Sequence, residues 1–183
     1  MKIIEVDNEI RLKEIASDDV DAIFNTINSE RAYLREWLPF VDATHSSEDT
    51  QRFVDSIFQI PEADRELTCV IFYNNEFAGI IGFRGTDKQN KKTEIGYWLS
   101  EKSQKKGIAT RSCSKLIDYA FVSLKMNRIQ IRVAIENFKS QRIPERLKFQ
   151  LEGIERDGEL LSWGFTDLKV YSLLAADYFK PIS

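Results

Sequence analysis

Six consecutive residues, Gln104-Lys105-Lys106-Gly107-Ile108-Ala109, together with Thr110, hold the densest chemical possibility in the chain. They stand between Thr93–Leu99 and a run from Ile108 to Val122 whose apolar residues recur at helical spacing. A turn that feeds a helix exposes the unpaired N–H groups of the first helical turn and the positive end of the helix dipole. Such a place suits an anion. Gly107 lets a bulky diphosphate approach the backbone, Lys105 and Lys106 add charge, and Thr110 offers a hydroxyl. The same residues also suit a solvated turn before an ordinary helix, and spacing alone leaves both readings open. Neither G-x-x-x-x-G-K-[ST] nor G-x-G-x-x-G occurs, so a nucleoside-triphosphatase or dinucleotide enzyme loses its main support.

Other reactive side chains are scarce. His45 is the single histidine, so a histidine-based triad would have to use it. Cys69 and Cys113 are distant from one another and outside metal-ligand spacing, and Cys69 stands in an apolar run that reads as packing. A zinc site of ordinary composition is excluded, and no metal is expected. Acid–base chemistry is left to carboxylates, hydroxyls, water or the substrate itself. The net charge of −3 gives no pull toward a polyanion, so no nucleic-acid partner is expected. No apolar run is long enough to span a bilayer, and Met1–Glu5 lacks the apolar core of a signal peptide. The expectation is a cytoplasmic protein with no membrane partner.

The elements that must position the turn follow from hydrophobic periodicity. With 183 residues and 43% hydrophobic content, residues 1–183 suit one domain with a real core. Ile10–Ile15 reads as a strand, and Ser17 opens a helix carrying Val20, Ile23, Phe24 and Ile27 on one face. A short helix over Ser29–Trp37 ends before Pro39, and Ser46 or Ser47 opens a third helix. Leu67–Tyr73 and Glu76–Phe83 flank the hairpin signal Asn74-Asn75. Thr93–Leu99 is a strand, and so is the strictly alternating stretch around Ile129, Ile131, Val133 and Ile135. A short helix over Ser140–Leu147 and strands over Phe149–Arg156 and Leu168–Ala175 complete a mixed α/β order.

Larger segments add specificity. Gln104–Ala109 resembles the Q/R-x-x-G-x-G/A signature of the GNAT acetyltransferases, and Glu94-Ile95-Gly96-Tyr97-Trp98-Leu99 resembles the strand before it. Asn127-Arg128-Ile129 and the run Asn137-Phe138-Lys139-Ser140-Gln141-Arg142-Ile143-Pro144-Glu145-Arg146-Leu147-Lys148-Phe149 resemble the RimJ/RimL branch, with its N-x-x-S-x-x-I-P-E-[KR]-L-G-F pattern. Leu151-Glu152-Gly153 and Tyr171–Leu174 fit the tail of that branch. The similarity is dense from Glu94 to Gly153 and thin before Leu67. One residue departs: Lys148 stands where the family has glycine, so a left-handed turn is expected there, and Pro144 should delay or kink the helix around it.

The resemblance implies a central, mostly antiparallel sheet with splayed middle strands, flanked by helices. It implies acetyl-coenzyme A as co-substrate, its pyrophosphate held by the amides of Gln104, Lys105, Lys106, Gly107, Ile108 and Ala109, with Thr110 beside them. Pantetheine would pair with the backbone around Trp98, Leu99 and Ser100 and touch Asn137. Amides near Trp98 and Leu99 would serve the oxyanion. Ser140 matches the serine that the branch is thought to use as proton donor to the leaving thiolate; it also stands where a helix begins, and serine is a preferred cap. Glu159 falls where some members carry a catalytic glutamate, though a charged residue beside a turn such as Asp157-Gly158 is usually just solvent-facing. Tyr171 is a weaker alternative acid, better read as a packed tyrosine. Trp37, Leu38 and Phe40, with Glu36, Asp42 and Glu48 nearby, fall where the family borders its acceptor. The acceptor is a protein N-terminal α-amine, as in the ribosomal-protein branch, or a small amine such as a polyamine, amino acid or antibiotic. A non-catalytic acyl-coenzyme A-binding module is the third reading. The resemblance is compatible with a homodimer.

Overall fold

In the computed structural model, which describes residues 1–180, eight strands make one sheet. They are β1 (Ile3–Glu5), β2 (Ile10–Glu14), β3 (Thr68–Tyr73), β4 (Glu76–Asp87), β5 (Lys92–Leu99), β6 (Arg128–Ala134), β7 (Gln150–Leu161) and β8 (Gly164–Leu174). The spatial order is β1-β2-β3-β4-β5-β6-β8-β7. Every neighbouring pair is antiparallel except β5–β6. The helices are α1 (Val20–Ser29), α2 (Arg31–Leu34), α3 (Ser47–Gln59), α4 (Ile108–Asp118), α5 (Phe138–Arg146) and α6 (Ala175–Tyr178).

Alternation along the strands sends successive side chains to opposite faces. Val70 and Ile80 meet Ile23 and Ile27 of α1 and Val54 of α3 on one face. Ile81, Ile95, Ile129 and Ile131 meet Cys113, Leu116 and Ile117 of α4 on the other. Each such valine, leucine or isoleucine, fully buried, contributes about 1.5–3 kcal/mol. Ser46 starts α3, its N–H donating to the Asp49 carboxylate at 2.9 Å, which closes the first turn.

The parallel pair is short. β5 and β6 share register only at Lys92↔Arg128, Thr93↔Ile129 and Glu94↔Gln130. Beyond Glu94 the strands part, and the rest of β5 is bonded on the β4 side alone. Glu94 itself is buried, accepting from Arg84 Nε at 2.6 Å and Arg132 Nε at 2.7 Å, and Arg132 Nη1 reaches Glu155 at 3.1 Å. This network ties β4, β5, β6 and β7 where the ladder ends.

The mixed α/β class and the splayed, mostly antiparallel sheet are as expected. Several boundaries differ. The short β1 and α6 carry too little pattern to be read. α2 stops at Leu34, and a 3-10 turn over Pro39–Ala43 follows. α4 gives way to a π-turn at Tyr119–Ser123. β7 continues through Asp157-Gly158, which is a bulge rather than a hairpin turn: Asp157 has φ 50°, its N–H donates to Asp167 at 2.8 Å, and the register shifts between Glu155 and Glu159. α5 begins at Phe138, and its cap is Asn137, whose side chain accepts from Ser140 N–H. Lys148, as expected, is left-handed, with φ 63°.

Candidate active site

The end of β5, the loop after it and the start of α4 form one wall of a cleft of about 650 Å³. α5 forms the opposite wall, and residues 33–38 around α2 close one end. The cleft opens where β5 and β6 part. Ser100 N–H donates to the Ala78 carbonyl at 2.8 Å, so Ser100 faces β4. Antiparallel alternation turns Trp98 the same way and leaves the backbone groups of Tyr97 and Leu99 facing the splay. Gly79 makes room here: a Cβ on it would lie 2.1 Å from the Trp98 carbonyl oxygen.

The loop then curls. Lys105 and Gly107 are both left-handed, at φ 62° and 71°, on either side of Lys106. Backbone N–H groups in such a curl converge into an anion-binding concavity. Gly107 is the N-cap of α4 and supplies no side chain to its first amides, which therefore remain available. A Cβ on Gly107 would approach nothing closer than Arg111 Nε at 3.9 Å. The glycine is required there for backbone hand, not for packing.

Of the residues expected at the cofactor, Trp98, Leu99, Gln104, Lys105, Gly107, Ile108, Ala109, Thr110 and Asn137 all line the cleft. Ser100 does not: it is fully buried, and its hydroxyl donates to Ser103 Oγ at 2.7 Å. Lys106 points away, its ammonium 5.2 Å above the Tyr73 ring. Ser140 lines the cleft from the first turn of α5. It is not the cap of that helix, because Asn137 is. Tyr97 Oη lies 3.1 Å from Ser140 Oγ.

Glu159 is absent from the cleft lining. It pairs across the ladder with Thr166, whose hydroxyl donates to Glu136 Oε2 at 2.8 Å, and Glu136 does line the cleft. Glu159 thus stands one cross-strand pair behind the cleft. It is half-buried rather than solvent-facing, and burial raises its carboxyl above the ordinary value despite the pull of Arg84 and Arg132. Tyr171 is packed in the core, away from the cleft, with its hydroxyl 3.4 Å from Glu145. His45 is exposed in the turn ahead of α3 and outside the cleft. Trp37, Leu38 and Glu36 reach the cleft, whereas Phe40 and Glu48 do not, and Asp42 pairs with Arg35.

Sequence reasoning missed several lining residues. Lys139, Arg142 and Arg146 put three cations on the cleft side of α5. Their three- and four-residue spacing was a usable signal for one helix face. Tyr33 was not legible: it enters by tertiary contact, accepting a hydrogen bond from Gln104 Nε2. Beside it, Glu30 accepts from Glu101 N–H at 2.7 Å. Among the described residues no cluster of His, Cys, Asp and Glu is arranged to hold a metal ion, and no helix is long and apolar enough to cross a membrane.

A splayed strand pair, a left-handed glycine opening a helix and an adjoining cationic wall fit a long ligand with a diphosphate at its middle. The family profile described as the acetyltransferase (GNAT) domain matches residues 9–150. The chain belongs to the GNAT family. It is an acetyl-coenzyme A-dependent N-acetyltransferase. Among curated GNAT relatives, the putative ribosomal N-acetyltransferase YdaF of Bacillus subtilis (strain 168) is 32% identical over 95% of this chain and 96% of its own length. The ribosomal-protein-serine acetyltransferase of Escherichia coli (strain K12) is 28% identical over 92% of this chain and 94% of its own. A solved structure of RimL, the ribosomal L7/L12 α-N-protein acetyltransferase in complex with coenzyme A, superposes with a TM-score of 0.91. That match is 26% identical and covers 96% of this chain and 99% of RimL.

Proposed function

We propose that this GNAT enzyme acetylates the free α-amine of a polypeptide N-terminus. One observation carries the reading: the splay, the Gly107 turn and the Ser140 hydroxyl open onto one cleft, and no histidine lines it. In that cleft the Gln104–Ala109 amides would hold the pyrophosphate and Asn137 the pantetheine arm. The Leu99 N–H, facing the splay, would receive the oxyanion as the acceptor nitrogen bonds to the acetyl carbon. The C–S bond then breaks, and the thiolate takes a proton from Ser140, which regains one from water. The acceptor nitrogen loses its extra proton through water to Glu159, which stands behind the cleft wall.

The acceptor must attack as a neutral amine. An α-amine has a pKa near 7.7–8.0 and a lysine amine near 10.4, so at pH 7.5 roughly a third of the former and about a thousandth of the latter are neutral. A cleft without a strong base is matched to the α-amine. Both curated relatives are named for ribosomal-protein acetylation and RimL for α-N acetylation, which supports the same acceptor class.

Steady-state kinetics on two peptides test this, one with a free N-terminus and the other blocked there but carrying lysine. The free-N-terminus peptide should be the better substrate from pH 6 to 9. Glu159→Gln should lower kcat by ~10²-fold with little change in acetyl-coenzyme A affinity. Because the carboxylate form is the base and burial raises its pKa, wild-type kcat should fall as pH drops through that raised value. The variant should lack this limb. Preference for the lysine peptide sinks the α-amine assignment; a variant that matches wild type makes Glu159 a bystander.

A further inference from the structure

Pro144 sits inside α5 and has no N–H to give. In an α-helix that N–H would have served the carbonyl four residues earlier, which is Ser140. A carbonyl in a partly buried turn needs another donor. It has one: the Tyr97 hydroxyl, reaching across from β5, donates to the Ser140 carbonyl oxygen at 3.3 Å. The same hydroxyl oxygen lies 3.1 Å from Ser140 Oγ. On the other side, Ser140 N–H donates to the Asn137 side chain at 3.1 Å. All three polar groups of Ser140 are therefore held, two of them by Tyr97.

We infer that Tyr97 is the positioning residue for Ser140: its hydroxyl replaces the hydrogen bond that Pro144 forfeits and so fixes the serine hydroxyl at the cleft. This rests on the reading of Ser140 as proton donor to the thiolate. A phenol has one proton and can spend it once. With that proton on the carbonyl, the phenol oxygen is left to accept from Ser140 Oγ–H until a thiolate forms. The serine O–H then turns to the sulfur and gives up its proton, water restores it, and Tyr97 keeps its own throughout. Burial pushes the Tyr97 phenol far above its ordinary value, which keeps it a donor at every working pH. Proline in the helix thus has a use: it frees a carbonyl through which the strand beneath can orient the helix's first turn.

Two double-mutant cycles test the inference. The first reads thiol release from acetyl-coenzyme A with a free-N-terminus serine peptide, or with the fastest amine of a panel if that peptide is refused. Tyr97→Phe keeps the ring and should lower kcat about tenfold, equivalent to about 1.4 kcal/mol, while acetyl-coenzyme A affinity holds. In a Ser140→Ala background the same change should have almost no further effect. The second cycle needs no acceptor. Tyr97→Phe should lower the urea midpoint, and should lower it much less in a Pro144→Ala background, where the alanine N–H takes the carbonyl. Equal midpoint losses in both backgrounds, or kcat losses that multiply fully, would overturn the inference. A fully active Ser140→Ala would overturn both this and the donor role. An impaired Ser140→Ala beside a fully active Tyr97→Phe would overturn this inference alone.

Discussion

At the scale of single residues, the cleft depends on backbone hand as much as on side-chain chemistry. Gly107 has φ 71°, a conformation that costs an L-residue roughly 1–2 kcal/mol. Lys105, at φ 62°, already bears such a cost in the same loop. Gly107 has open space around it in the fold, so a side chain there meets the ligand before it meets the protein. Gly107→Val should leave a folded protein with a lowered urea midpoint and should weaken acetyl-coenzyme A by at least tenfold, about 1.4 kcal/mol. Calorimetric titration of the folded variant checks this; unchanged affinity would remove the turn from the site. Asn137 shows a different economy. Its side-chain oxygen caps α5 by accepting from Ser140 N–H, so the residue expected at the pantetheine arm also sets the first turn that carries Ser140, the proposed proton donor.

At the scale of elements, the edge strand β7 has the most conditional hold on the sheet. It pairs with β8 through two register shifts, and its start is clamped by charge. Arg128 forks onto Glu152 at 2.6 and 2.5 Å, and Ser172 Oγ donates to the same carboxylate at 2.7 Å. Those bonds, the arginine's first, hold the Glu152 carboxyl down at about 2. A depressed acid stabilises the fold only while ionised, so the clamp's contribution is whole above the ordinary value of 4.5 and is lost as pH falls toward about 2. Glu152 is 40% exposed, so solvent screening keeps the effect small. Urea midpoints of wild type and Glu152→Gln should differ by a constant amount from pH 7 to about pH 5 and converge below it; a difference that persists at pH 2 would place the clamp's strength elsewhere. β7 also shows what sequence can and cannot give. Strong periodicity exposed the sheet, α3, α4 and β6, because burial and pattern agree there. Asp157-Gly158 carries the chemistry of a turn yet forms a bulge, because the ladder beyond it with Thr166, Phe165 and Gly164 keeps β7 in register. Only that tertiary pairing turns Glu159 from an exposed residue into a half-buried one. The contiguous loop of the site was readable for the opposite reason: its chemistry is local.

At the scale of the whole molecule, two half-sheets meet along three register pairs and then diverge, so little strand pairing crosses the mouth of the cleft. Residues 30–38 span the gap. On one side Tyr33 takes the Gln104 amide and Glu30 takes Glu101 N–H. On the other, Trp37 packs with Ala134, Leu161 and Leu168, and Trp163 Nε1 donates to the Glu36 carbonyl at 3.3 Å. A ligand that orders the 104–109 loop biases residues 30–38 through these contacts, and by linkage a ligand held by residues 30–38 biases the loop equally. Coenzyme A at a hundredfold excess over its Kd should raise unfolding free energy by about 2.7 kcal/mol. Its hydrogen-exchange protection should extend beyond the loop and α5 to residues 30–38, although no cation of that segment lines the cleft. Tyr33→Phe removes the acceptor for the Gln104 amide, so it should abolish the added protection at 30–38 and leave that at the start of α4 intact. Protection confined to the loop in wild type, or surviving at 30–38 in the variant, would mean that the two ends of the cleft bind independently and that the tyrosine–glutamine bond does not couple them.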